Sequence, residues 1–364
     1  MPTWHEINEE LQQELRQGNG LPYDTVRRRY LTALYSHTGR NTILYIARFT
    51  QRGGPDVPPD LVSIVDEDMQ GLMETVHGLR GRSLDLILHS PGGQLDAAES
   101  LVLYLRSKFR DIRVIVPHLA QSAATMIACS ADQIVMGDHS FLGPIDPQIV
   151  IRTQAGPQSV PAQAILEQFE KAVIACENPK KLPAWLPMLS QYGPHLLVQC
   201  ENASRLSREL VGEWLYQYMF KKARGSKKKA DDIAVWLASH SESKTHGRHI
   251  PRSTLESKGL NILELESDQV LQDLVLSIFH AATIALSDPN AGVAKIIENH
   301  EGKAFIKLHR SAQLQIPLGL PGFPFPFPIQ PQQAPPLQPP SPLPPMPPGQ
   351  SPPGQNPAAP PAPH

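Results

Sequence analysis

Cysteine is scarce in this 364-residue chain. Its three residues, Cys129, Cys176 and Cys200, are odd in number and lack the paired spacing of a zinc site or a disulfide framework. They suit a reducing compartment. A basic excess is missing as well: 33 Lys and Arg stand against 35 Asp and Glu, which argues against a dedicated nucleic-acid binder. The opening residues Met1-Pro2-Thr3-Trp4 and those after them have neither the basic start nor the apolar run of a secretory signal. The most apolar long segment, Val270 to Leu286, is interrupted by Gln272, Asp273 and His280, so no membrane span is expected. A soluble, cytoplasmic protein is the expectation.

Charge disappears altogether after Arg310, and 21 of the 38 prolines lie between Pro317 and Pro363. Too few groups remain there to build a core, so 311–364 is expected to be a disordered, Pro-rich tail of polyproline-II character. Its Phe-Pro repeats at 323–328 fit docking to a partner's aromatic groove. The first 310 residues are ample for a large core.

Within that part, apolar positions 7, 11 and 15 mark an amphipathic helix over 6–17 that ends at Gly18-Asn19-Gly20. Strand patterns follow at 42–47, 84–88, 113–116 and 133–136, with helical patterns at 66–79, 96–108 and 122–131 between them. Strands alternating with helices of this length imply right-handed crossovers and a mostly parallel sheet, an α/β fold. From Pro161 the pattern turns to long helices at 162–175, 206–222 and 270–286.

Open α/β sheets place their sites at the carboxyl ends of strands, and two turns stand there. The first is His89-Ser90-Pro91-Gly92-Gly93, whose glycines leave backbone N–H groups uncovered and able to bind an oxygen. The second is Pro117 to Met126, where Ser122, flanked by small residues, opens a helix. There the helix dipole favours developing negative charge. Serine at such a position also serves as a simple N-cap.

With these turns, the stretch from Leu86 to Gln148 resembles the serine dehydrogenase proteinase (SDH) family of Clp-fold serine peptidases, and more distantly signal peptide peptidase A and the Clp peptidase subunit. The residues that carry the resemblance are Ser90-Pro91-Gly92-Gly93, Gln121-Ser122-Ala123-Ala124-Thr125 and Gly143-Pro144-Ile145-Asp146-Pro147-Gln148. It extends from about Tyr23, takes in Asp66-Glu67-Asp68 and reappears at Thr245-His246 and 253–260. It implies a ClpP/crotonase-like fold with Ser122 as nucleophile. Gly92 or Gly93, together with Ala123, would supply the oxyanion-hole amides.

The general base stays open between two residues. The position of the Clp peptidase's histidine falls near 144–147, where this chain has Asp146 and no histidine. Signal peptide peptidase A uses a lysine some tens of residues after its serine; Lys171 lies 49 residues after Ser122, where it is either a solvated helix-surface lysine or, if buried beside Ser122, a base made competent by desolvation. His246 lies near the position of the Clp peptidase's aspartate, and histidine as a residue type needs less tuning than lysine to act as a base near neutral pH. His246 and His249 make a poor metal set without a carboxylate or thiolate beside them.

The resemblance therefore implies a serine peptidase acting on peptides or unfolded protein without metal or organic cofactor, assembled as a homo-oligomer. The competing readings are a non-catalytic oligomeric scaffold whose Pro-rich tail recruits a partner and a crotonase-like enzyme binding an acyl-CoA thioester. The expected organisation is an N-terminal helical segment (1–30), a Clp/crotonase-like peptidase domain (31–265) with a helical insertion at about 162–240, a C-terminal helical extension (266–310) and the tail (311–364).

Overall fold

The alternating pattern of apolar runs becomes a seven-stranded sheet in the computed structural model, which describes residues 2–18, 22–51, 57–153, 156–190 and 192–309. In chain order the strands are β1 (Asn41–Ala47), β2 (Ser83–His89), β3 (Asp111–Val116), β4 (Leu119–Ala120), β5 (Gln133–Met136) and β6 (Phe141–Leu142). They continue as β7 (Gln148–Thr153), β8 (Gly156–Pro161), β9 (Ile250–Pro251), β10 (Ile262–Glu264), β11 (Val293–Asn299) and β12 (Ala304–Leu308). The main sheet has the order β10-β5-β3-β2-β1-β11-β12. Pairings from β10 to β1 are parallel, and β11 and β12 add on antiparallel. Strands β4, β6 and β9 make a small second sheet, and β7 pairs with β8. The expected α/β architecture, a mostly parallel sheet with flanking helices, is the one present.

A parallel sheet covered by helices on both faces needs strands that are apolar throughout. β1 is buried along its whole length. Its Ile43 and Tyr45 pack with Leu86, Leu88 and Val114 against the helices Leu95–Lys108 and Ala123–Cys129. Its Leu44 and Ile46 face the opposite layer, formed by the helices Pro22–Thr38 and Gln269–Ser287. By length and composition the helix Gln269–Ser287 could cross a membrane. Here its Val275, Ile278, Ala282 and Leu286 are core residues of that layer.

Local signals act where expected. The helix Trp4–Gln17 starts at a capping box in which the Glu6 N–H donates to Thr3 Oγ1 and the Thr3 N–H donates to Glu6 Oε2. It stops at Gly18, in the left-handed region with φ 70°. The helical insertion consists of Ala162–Cys176, Leu182–Leu189, Leu196–Trp214 and Ser226–Ala238. The third of these begins ten residues before the expected start and passes into a π-helical turn at Leu215–Met219.

Two expectations are corrected. The extension over 266–310 is helical only as far as Ser287, because 293–308 form β11 and β12. Lys295 and Glu298 give this segment a solvated look in sequence, but both are fully buried on ion partners, so a strand covered on both faces hides behind its charges. A boundary at residue 30 falls inside the continuous helix Pro22–Thr38. The Pro-rich tail at 311–364 lies outside the described residues.

Candidate active site

The two turns meet because the end of β2 is zipped to β4. The Ser90 N–H donates to Leu119 O at 3.1 Å, and the Gln121 N–H donates to Ser90 O at 3.0 Å. Gly92 then packs against the second turn with φ 92°. A Cβ at this position would lie 2.5 Å from Gln121 O and 2.6 Å from Ser122 Cβ, so only glycine allows the approach. Gly93 is confined from the other side, where a Cβ would sit 2.2 Å from Ile64 O.

Ser122 itself has φ 51° and ψ −121°, a conformation that costs a non-glycine residue about 1–3 kcal/mol. Its side chain makes no cap hydrogen bond to the helix Ala123–Cys129, which removes the simple capping role. The surroundings hold it there. Thr125 Oγ1 bonds to Ala120 O at 2.8 Å and to Gly143 O at 2.9 Å, and accepts from the Gly143 N–H at 3.0 Å. A strained strand-to-helix turn that presents an uncapped serine has the form of a nucleophile elbow.

Ser122, Ala123 and Gly93 line a cleft of about 610 Å³ whose other walls include Leu95, Met126, Ile145, Gln148, Ile149 and Leu206. The Gly92 N–H is spent on Ser90 Oγ at 3.2 Å. Among the described residues the Gly93 and Ala123 N–H groups donate to no protein acceptor. These two amides, not that of Gly92, are free to bind an oxygen in the cleft.

The small sheet gathers the remaining groups. β4 ends two residues before Ser122, β6 ends four residues before Asp146, and β9 begins four residues after His246. β4 is parallel to β6 and β6 antiparallel to β9, with Leu142 opposite both Ala120 and Ile250. Ser122, Asp146 and His246 therefore leave the same end of one three-stranded sheet. Asp146 is 1% exposed and receives His246 Nδ1 on Oδ1 at 2.7 Å and His240 Nδ1 on Oδ2 at 3.3 Å. Among the described residues Ser122 Oγ is bonded neither to His246 nor to any other group.

Lys171 is brought to none of this. It lies exposed on the helix Ala162–Cys176 and does not line the cleft. His249 packs on the Phe141 ring at 5.3 Å. Among the described residues no group of three or more His, Cys, Asp or Glu side chains is arranged to hold a metal ion. The role of Asp146 as a histidine partner was missed from sequence; its one signal was a carboxylate set between Ile145 and Pro147, apolar neighbours that announce burial. Beneath the site, His89 is fully buried between Phe49 and Phe279. Burial above all, helped by nearby His118, pushes it down to about 3.

An elbow serine and two open amides at a cleft, with a carboxylate–histidine pair at the same end of the small sheet, are the parts of acyl-transfer chemistry, and comparison with known proteins bears on the same region. Residues 26–180 match the family of ClpP-like SDH-type serine proteinases. The matched stretch includes Gly92, Gly93, Ser122, Ala123, Asp146 and Lys171, and it ends before His240 and His246. Two uncharacterized proteins of Methanocaldococcus jannaschii are similar to the chain. One is 39% identical over 43% of this chain and 55% of its own length. The other is 31% identical over 37% of this chain and 47% of its own length. The chain thus spans about half the length of these curated relatives. No solved structure matches it.

Proposed function

We propose that this chain is a serine peptidase in which Ser122 Oγ attacks the peptide carbonyl, His246 Nε2 takes its proton, and Asp146 holds the imidazole through Nδ1–H. The oxyanion of the tetrahedral intermediate is received by the Gly93 and Ala123 amides. His246 then returns the proton to the leaving amine, and water completes the cycle on the acyl-enzyme. The observation that carries the reading is the strained, uncapped Ser122 beside two unspent N–H donors. Strain of this kind persists where the surroundings over-determine it, and it collects at reactive positions.

His246 is preferred to Lys171 as base because it has a buried carboxylate partner, and Lys171 lies in solvent. In unliganded sites the bond between nucleophile and base is commonly long and closes when substrate binds. The mainly apolar cleft supports peptide or unfolded-protein substrates in extended form. Exposed Val173, Ile174, Leu182 and Leu186 on the helical insertion support assembly into a homo-oligomer. Three free thiols, two of them buried, support a reducing, cytoplasmic setting.

The test is labelling of the purified full-length protein by a fluorophosphonate probe. Wild type is expected to label, Ser122→Ala and His246→Ala to lose labelling while folded, and Lys171→Ala to keep it. A folded wild type that does not label defeats the peptidase reading.

A further inference from the structure

A loop containing two consecutive glycines has little intrinsic stiffness, yet an oxyanion donor must sit within a few tenths of an ångström of its place. What holds Gly93 is the three-residue strap Ser63-Ile64-Val65. On its inner side the Ile64 N–H donates to Gly92 O at 2.7 Å, and Ile64 O accepts from the Gln94 N–H at 2.9 Å. Ile64 and Gly93 form a parallel bridge, and Ile64 is fully buried. The strap cannot shift without carrying Gly93 with it.

On its outer side the strap is gripped by charge. Lys295 Nζ donates to Ser63 O at 2.6 Å, and Asp68 Oδ2 accepts from the Val65 N–H at 3.1 Å. Lys295 and Asp68 are both 0% exposed and paired at 2.7 Å. The Tyr45 hydroxyl donates to Asp68 Oδ2 at 2.6 Å. Lys307 Nζ lies 3.0 Å from Asp68 Oδ1 and 2.8 Å from Glu67 Oε2. Burial brings the Lys295 ammonium down to about 8 against the pull of Asp68. For Asp68, burial works upward, but Lys295, Tyr45 and Lys307 outweigh it and leave the carboxylate below its ordinary value.

A fully buried ion pair is a poor source of stability, because desolvation offsets much of its attraction and apolar residues of similar volume do as well or better. Its distinctive property here is directional. It supplies a donor to the carbonyl of the residue before Ile64 and an acceptor to the amide of the residue after it. We propose that the Lys295–Asp68 pair is a positioning device that holds the Ser63–Val65 strap, and through it keeps the Gly93 N–H aimed at the oxyanion. The inference rests on the reading of Gly93 as an oxyanion donor. Neither residue touches the cleft, so both act through the strap.

The test is the double variant Lys295→Met/Asp68→Asn in the full-length chain, which removes both charges together and leaves neither one buried alone. Wild type and variant are compared for fluorophosphonate labelling rate, for kcat and KM on a fluorogenic peptide that wild type cleaves, and for binding of a peptidyl boronate against the product peptide. The expected result is a loss of about 10- to 100-fold in kcat, labelling rate and boronate affinity, as for a displaced oxyanion donor. KM and product affinity stay within about twofold, because uniform binding is untouched.

A folded double variant with wild-type kcat overturns the inference. So does one whose loss falls equally on KM and product affinity, since that is the mark of general loosening. Where the double variant does not fold, Tyr45→Phe deletes a single hydroxyl from the cluster. It should lower kcat about threefold with the same split, the worth of one hydrogen bond, and an unchanged kcat overturns the inference. Wild type that is neither labelled nor active defeats the peptidase reading itself, and the strap's role falls with it.

Discussion

Replacing Asp146 by Asn separates the carboxylate's electrostatic part from its bulk, and its effect can be worked from the structure. Asp146 is 1% exposed and meets His246 Nδ1 at 2.7 Å, which puts the charge centres of an imidazolium and the carboxylate about 4 Å apart. At an effective dielectric constant of about 20 this attraction is worth about 4 kcal/mol, or roughly three powers of ten in rate. His246 is 27% exposed, and solvent screening reduces the expected loss in kcat to about 10²–10³. Asparagine also offers His246 an N–H where the carboxylate accepted one, favouring the tautomer whose Nε2 cannot accept a proton. KM should be unchanged, because the isosteric change leaves Ile145, Pro147 and Gln148 of the cleft wall in place. Steady-state peptide hydrolysis with melting curves on both proteins is the assay. His240→Ala is the control: it removes only the weaker contact at 3.3 Å and should cost much less. Asp146→Asn that keeps more than about a tenth of wild-type kcat refutes the electrostatic argument.

Gly93→Ala should cost both stability and at least about 10² in kcat, since its Cβ would overlap Ile64 O and push one oxyanion donor out of place; melting temperature and kcat read the two effects. Lys171→Ala should leave kcat unchanged, because the residue is exposed and away from the cleft, and a lost kcat in a folded protein returns the lysine to candidacy. Acid should destabilise the fold through His89. Its folded pKa, about 3, lies below the ordinary value of 6.5, so the unfolded chain takes up the proton first. The stabilisation is complete above about pH 6.5 and is lost as pH falls toward 3, by about 1.4 kcal/mol per pH unit for this one site. Denaturant unfolding at a series of pH values checks it, and a His89→Leu variant with the same slope as wild type counts against the assignment.

Much of this architecture is legible in the sequence. The alternation of apolar runs with helical periods reads directly as strands crossing to helices, since each element must bury its face within its own length. The glycine turn and Ser122 were visible because both sit at strand ends, and local sequence decides where strands end. The strands at 293–308 were not visible, because Lys295 and Glu298 look solvated until their buried partners Asp68 and Arg27 are found more than two hundred residues away. The difference between Gly92 and Gly93 is tertiary, since it depends on Ser90 Oγ occupying one amide and leaving the other.

The chain's own residues thus determined the α/β class, the two turns and the uncharged end, all of which follow from short-range periodicity and from glycine's freedom at tight turns. Only the tertiary structure decided which histidine meets which carboxylate. Asp146 and His246 are 100 residues apart, and they are joined because β6 and β9 pair antiparallel with Leu142 opposite Ile250. A register between distant strands is set by how the whole core closes, and no window of sequence contains it.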